Sequence, residues 1–519
     1  MARRNGVPRA GNGIPLIPEI LLLTDASLPQ RQGRFDVTVE DGVVRSILPA
    51  GDAPALTRAE IRDLSGRFLI PGLWDNHVHF SQWTIQRQRL DLSSTGSAAE
   101  VLQLVRSALT APDAGGSAPS APAPLVGYGF RDGLWPDEPS VAELDATSGG
   151  HPVVLISGDL HCGWLNTAAS QLLQAQPDDS GLVREDAWFP AMERLQDSTV
   201  LTTADYRAAA EAAVRRGVVG VVEFENTDNI TAWPQRVAEG VDQLRVEVSV
   251  WPDKLQDALA CGVTSGDPLD PSGLVTMGPL KVIVDGSLNT RTAWCWDPYP
   301  GMDPAHPHAC GMEAVPISEL ESYMRAARDG GLAAAIHAIG DRANTAVLDT
   351  FESLGMAGVI EHAQLLRESD IPRFAQLGLT ASVQPEHAMD DRDVADRFWE
   401  GRTDRAFALK TLEESGAQLR LGSDAPVAPL DPWVSLTAAV TRSRDGRESW
   451  HPEQRISAAS ALAASTRGRV EVEAGDVADL AVVDADPLDP ALLTDGGAQL
   501  RTMPVAATLV GGRFTLDAL

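Results

Sequence analysis

The stretch Ile70-Pro71-Gly72-Leu73-Trp74-Asp75-Asn76-His77-Val78-His79-Phe80 is an apolar run that ends in two histidines one residue apart. Side chains two apart on a β-strand share a face, so His77 and His79 can offer their imidazoles to one metal ion. A pair of half-buried histidines at a strand end is the alternative reading. Further along the chain, Lys281, His337, His362 and Asp424 each stand at or just beyond the end of another apolar run. Candidate strands end near His79, Glu223, Val250, Val284, His337, His362, Val383 and Ser423, and helical stretches such as 317–328, 342–354 and 403–414 lie between them. Eight βα units predict an α/β fold, the (β/α)8 or TIM barrel, which carries its chemistry at the C-terminal ends of the strands.

Spacing divides the chain further. Roughly 140 residues separate the first two candidate strands, far more than a βα connection needs, so an insertion is expected over 81–210. Within it, 111–124 is rich in Ala, Pro, Gly and Ser and reads as a surface excursion, while 125–130 and 153–157 read as strands. The insertion is expected to form a subdomain over the barrel mouth. Short strands at 20–23, 35–39 and 43–47, the last two joined by the hairpin signal Asp41-Gly42, have partners at 480–483 and 505–510. Both termini, 15–66 and 470–519, therefore predict one small discontinuous β-sandwich beside a barrel spanning 67–469.

Composition narrows the function. Hydrophobic residues make up 44% and charged residues 22%, as in an ordinary globular enzyme. Acidic residues outnumber basic ones 72 to 42, and the formal net charge of −30 repels phosphate backbones and anionic lipid headgroups. Nucleic-acid and membrane partners are not expected. No apolar window approaches the roughly 20 residues of a membrane span, Pro18 and Glu19 interrupt the apolar N-terminal segment, and the four cysteines form no close pair. A cytoplasmic protein is the expectation, and homo-oligomers are common at this size.

Imidazoles with a carboxylate suit zinc first, and also manganese, iron or nickel. Lys281, in Leu280-Lys281-Val282-Ile283-Val284-Asp285, sits in a strand context that buries its amine, so it requires an acidic partner such as Asp285 or a modification such as carboxylation. His337 and His362 end successive strands and so share a rim. Asp424, in Gly422-Ser423-Asp424-Ala425-Pro426-Val427, ends the last strand in the same way.

The ordered set His-x-His, Lys, His, His, Asp resembles the metal-dependent amidohydrolase superfamily. Asp285-Gly286-Ser287-Leu288, His337-Ala338-Ile339-Gly340-Asp341, Ile360-Glu361-His362-Ala363-Gln364 and Gln384-Pro385-Glu386-His387 are similar to the branch containing N-substituted formamide deformylase and YtcJ-like proteins. The resemblance implies a distorted barrel with a flanking β-sandwich and one or two divalent ions. It also implies His77, His79, Lys281, His337, His362 and Asp424 as ligands, with Lys281 N6-carboxylated. Asp424 would be the general base and acid, and His387 would help bind the oxyanion. Arg291 and, from the insertion, His161, Trp164 and Asn166 are candidates for substrate binding. Asn289-Thr290 and the segment from His161 to Asn166 depart from the branch's usual pattern, which bears on specificity. The expected activity is hydrolysis of a non-peptide C–N bond in a small amide or formamide, with carbamates, esters and cyclic amides as alternatives. A catalytically silent ligand-binding or regulatory module on the same fold is the alternative of another class.

Overall fold

Strands buried on both faces read as unbroken apolar runs, and Val218–Glu223, with all six residues buried, is the purest example. In the computed structural model it is one of eight parallel strands in a single sheet, with Leu73–Val78, Arg245–Val250, Val275–Ile283, Ala334–Ala338, Gly358–His362, Thr380–Val383 and Gln418–Leu421. The structure describes residues 20–54, 58–110, 123–132, 135–157, 162–184, 187–197 and 200–519. Neighbours in the sheet are consecutive in sequence among these eight, which is the distorted TIM barrel that the sequence predicts.

Alternation along the strands sorts side chains to two sides. Leu280, Val282, Ile336 and Ile360 face outward and share a core with Leu320, Met324, Val347 and Phe351 of the surrounding helices. Val222, Phe224, Ala335 and Val359 form a separate, small apolar layer inside. Lys281, His337 and Glu361 alternate with the outward set and therefore also face inward.

The first and last strands do not form a regular ladder; individual bonds close the barrel instead. Asp424 N–H donates to the His77 carbonyl at 2.8 Å and His79 N–H to that of Ala425 at 2.8 Å. Asn76 Nδ2 donates to Leu421 O at 2.8 Å, and the Asp75 carboxylate accepts from the backbone N–H groups of His77 and Ser423 at 3.2 and 2.8 Å. This approach needs Gly422: a Cβ there would lie 2.8 Å from His77 N. The seam thus brings the His-x-His pair and Asp424 together.

Helices Ile317–Asp329 and Asp341–Leu354 follow the sequence reading to within a residue. The stretch 403–414 differs from it. It divides into a short turn, Thr403–Arg405, and a helix, Leu409–Glu414, because Phe407 between them takes a φ of 50° that no right-handed helix accommodates.

The terminal segments form two four-stranded sheets. One orders Val43–Pro49, Phe35–Glu40, Ile20–Ala26 and Glu60–Asp63; the other orders Arg513–Asp517, Val505–Val510, Leu480–Val483 and Phe68–Pro71. Leu21, Val37, Leu69, Leu480 and Leu509 share one buried core between them. At the predicted hairpin, Asp41 and Gly42 have φ of 51° and 74°, the left-handed pair that a two-residue turn demands. Phe68–Pro71 carries the second sheet past residue 66, where the sequence reading ended the terminal segment.

Ser81–Tyr206 is a compact unit of its own. Its five-stranded sheet orders Leu182–Arg184, Cys162–Leu165, Val153–Ser157, Leu125–Phe130 and Leu90–Asp91, adding three strands to the two expected. Most of the Ala/Pro/Gly/Ser-rich excursion, residues 111–122, lies outside the described residues. Among the described residues no helix is long and apolar enough to cross a membrane.

Candidate metal centre

Asp424 is the hub of the site. Its Oδ1 lies 3.4 Å from His77 Nε2 and 3.3 Å from His79 Nε2. The rings of His77 and His362 are 5.0 Å apart and those of His337 and His362 are 4.4 Å apart, so residues far apart in sequence meet at one mouth. His387, from the first turn of the helix Pro385–Phe398, lies stacked at 6.2 Å from His362. Two sets of donor atoms each fall within 4.8 Å of one another, His77 with His79 and Asp424, and His362 with His387 and Asp424. Asp424 belongs to both. His387, not His337, completes the second set; the Nε2 of His337 lies 3.6 Å from Asp285 instead.

Backbone conformation aims two of these side chains. Glu361 and His362 are adjacent on one strand, and alternation alone would turn them to opposite faces. His362 and Ala363 have φ of 72° and 43°, and this left-handed turn at the strand end swings His362 to the mouth while Glu361 stays inside. Asp424 also takes a positive φ, 56°, which Asp tolerates better than most residues. Such conformations cost of order 1–3 kcal/mol each and persist where the surroundings over-determine them.

The electrostatics suit a cation. Burial pushes the Asp424 carboxyl up, but the neighbouring histidines, with a hydrogen bond from His79, outweigh it and hold the group well below the usual carboxylate range. Burial holds His362 well below its ordinary value, with His337 adding to the effect. His337 is pushed down to about 3 by burial and then by Lys281. Neutral His337 and His362 beside an ionised carboxylate are in the protonation states that bind metal. Burial lowers the pKa of His79, but its hydrogen bond to Asp424 more than offsets this, so a cation there would displace a proton. Lys281 is buried over the Phe224 ring, its Nζ 4.3 Å from the centroid, and burial lowers the pKa of its amine. Lys281 Nζ, His79 Nδ1, His337 Nε2 and His387 Nε2 are all buried without a hydrogen-bond partner, a cost that few native sites carry without a ligand. The donor set fits a divalent cation.

Residues that spacing did not single out hold the candidate ligands in place. His77 Nδ1 is 2.6 Å from Glu361 Oε2, and His362 Nδ1 is 2.8 Å from Gln384 Oε1. Glu223 accepts from Phe80 N–H at 3.1 Å, just beyond His79, and from Trp233 Nε1 at 3.1 Å. Asp285, expected as a partner for Lys281, instead accepts from the N–H groups of Trp294, Ile339 and Gly340 at 2.8, 3.0 and 2.8 Å. Burial pushes both carboxyls up to about 7. The adjacency of Glu361 to His362 was the available signal for Glu361; for Gln384 there was none beyond its motif.

The substrate-binding candidates do not converge in the same way. Arg291 is exposed and stacks on Phe398, 5.4 Å from its ring centroid. Trp164 is fully buried among Leu92, Phe130 and Leu155 in the insertion's own core. Asn166 uses all four of its hydrogen-bonding positions inside the insertion: Oδ1 accepts from Val153 and Ala169 N–H, and Nδ2 donates to Ser148 Oγ and His151 O. Trp164 and Asn166 thus have packing and hydrogen-bonding roles inside that unit, where the sequence reading expected them to line a pocket. His161 lies outside the described residues.

An eight-stranded barrel with clustered histidines and an aspartate at the C-terminal rim defines the metal-dependent hydrolase class of fold. The chain belongs to the amidohydrolase family, whose model matches residues 60–516. It is similar to putative amidohydrolase YtcJ of Bacillus subtilis, 27% identical over 93% of this chain and 96% of that protein. N-substituted formamide deformylase of Arthrobacter pascens is 26% identical over 88% and 89%. Protein LONG AFTER FAR-RED 3 of Arabidopsis thaliana is 28% identical over 87% and 86%. Among solved structures, a metal-dependent hydrolase from Pyrococcus furiosus aligns with a TM-score of 0.73 at 25% identity, covering 91% of this chain and all of that one.

Proposed function

We propose that this protein hydrolyses a non-peptide C–N bond in a small amide or N-substituted formamide, with a divalent cation, zinc first, held by His77, His79 and Asp424, and His362 beside the same carboxylate in the second donor set. The observation that carries the reading is the placement of one carboxylate, Asp424, within both donor sets. A divalent cation held there would supply an activated water, its pKa lowered from 15.7 to about 7, and a positive partner for the substrate carbonyl. Asp424 takes the proton of the attacking water and delivers it to the departing nitrogen. His387, whose buried Nε2 has no partner, stands ready to donate to the carbonyl oxygen as it gains charge. The similarity to N-substituted formamide deformylase supports formamides as the first substrates to try. A screen of N-formyl, N-acyl, carbamate, ester and lactone compounds with metal-replete and chelator-treated protein tests this. Turnover of C–N substrates that chelation abolishes and zinc restores is the expected result; activity indifferent to chelation would remove the cation from the mechanism.

Lys281 extends the proposal. Its unpartnered Nζ adds to the carbon of carbon dioxide, forming a C–N bond and releasing a proton to solvent, and the anionic carbamate then serves as a ligand. Lys281→Ala is expected to abolish turnover, and added short-chain carboxylates to restore part of it by standing in for the carbamate. Full activity in Lys281→Ala without additive would exclude that role.

A further inference from the structure

The structure assigns Glu361 as a positioning residue that sets the tautomer of His77 and its strength as a ligand, an inference that rests on the reading of His77 as a metal ligand. Both groups are almost fully shielded from solvent, at 1% and 2% side-chain exposure, and the 2.6 Å between Nδ1 and Oε2 is the distance of a charge-assisted hydrogen bond. An ionised carboxylate only accepts, so Nδ1 carries the proton and the lone pair of the neutral ring sits on Nε2. That nitrogen faces Asp424 Oδ1 at 3.4 Å, acceptor to acceptor, an arrangement that a cation between them relieves. An anionic partner also makes the imidazole a stronger base toward a metal. His362 is held differently, because its Nδ1 donates to the neutral amide oxygen of Gln384. The two ligand imidazoles thus differ in the charge behind them, and the His77 side of the site is the tighter.

The competing role for Glu361 is structural, as a counter-charge inside the barrel to Lys281, whose ammonium it stabilises. The two roles separate by experiment. Zn²⁺ affinity, measured by competition with a chromophoric chelator, and the unfolding temperature of the metal-free protein are compared for wild type, Glu361→Gln and Glu361→Leu, together with the visible spectrum of each Co²⁺-loaded protein. The expected order of affinity is wild type, then Gln, then Leu. Leu should lose about 10–100-fold, the usual effect of removing such a partner. Gln keeps an acceptor for Nδ1–H but not the charge, so it should recover part of the loss and shift the Co²⁺ bands less than Leu does. Leu binding within two-fold of wild type, or Gln as weak as Leu, would overturn the assignment. If Leu yields no folded protein, Gln decides alone: affinity within two-fold of wild type with an unchanged Co²⁺ spectrum overturns it. A wild-type protein that binds neither metal would instead refute the reading beneath it.

Discussion

Asp424→Asn lowers kcat by about 10²–10⁴-fold, the range for losing a positioned acid–base group. The substitution is chosen so that little else changes. Asn matches Asp in shape and shares its tolerance of the left-handed region, so the φ of 56° at this position is preserved. The bond that ties the seam here is the backbone N–H of residue 424 to the His77 carbonyl, and no side chain enters it. An amide oxygen still coordinates a cation, though with less charge, so metal content should fall far less than turnover. What disappears is a group able to accept the proton of water. Rate and metal content measured on one preparation check this. An Asn variant with unchanged kcat at full metal content would leave the proposed chemistry without its proton carrier.

The legibility of this chain follows the physics of its elements. Barrel strands such as Val218–Glu223 are buried on both faces and are apolar over most of their length, so their ends fall where the apolar run stops, within two residues of the structure. Asp41-Gly42 was legible because only a few residue types tolerate two successive positive φ values. The short edge strands Glu60–Asp63 and Arg513–Asp517 were not, since half-exposed edges carry charge and mimic loops. Phe407 broke an expected helix through a backbone conformation that no periodicity encodes.

At the site, His77, His79, Lys281, His337, His362 and Asp424 stood out because imidazole, amine and carboxylate are rare at the ends of apolar strands. Position on the strand does not say where a donor atom points. The left-handed turn at His362 and Ala363 decides that, and so does the helix that brings His387 rather than His337 into the second set. Trp164 and Asn166 invited a binding role by motif, and in the structure both pack and hydrogen-bond within the insertion.

His77→Ala is expected to strip the protein of its metal and its activity together. The imidazole is fully buried at the centre of the cluster, edge-on to Phe224 at 4.6 Å, with Glu361 on one nitrogen and Asp424 facing the other. Truncation removes a donor atom outright, so the loss of affinity should exceed the roughly 10–100-fold expected when only an outer partner is removed. It also takes from the buried Glu361 carboxylate the His77 N–H that it accepts, which costs the metal-free protein about 1–3 kcal/mol. That second effect separates His77 from an exposed histidine. His308, on a surface loop, supplies the comparison: His308→Ala should leave both metal content and unfolding temperature unchanged. Metal analysis, turnover and thermal unfolding of the two variants check the argument. Near-stoichiometric metal in His77→Ala would mean that the cation is held elsewhere, and the barrel seam that draws positions 77, 79 and 424 together would then serve closure of the fold alone.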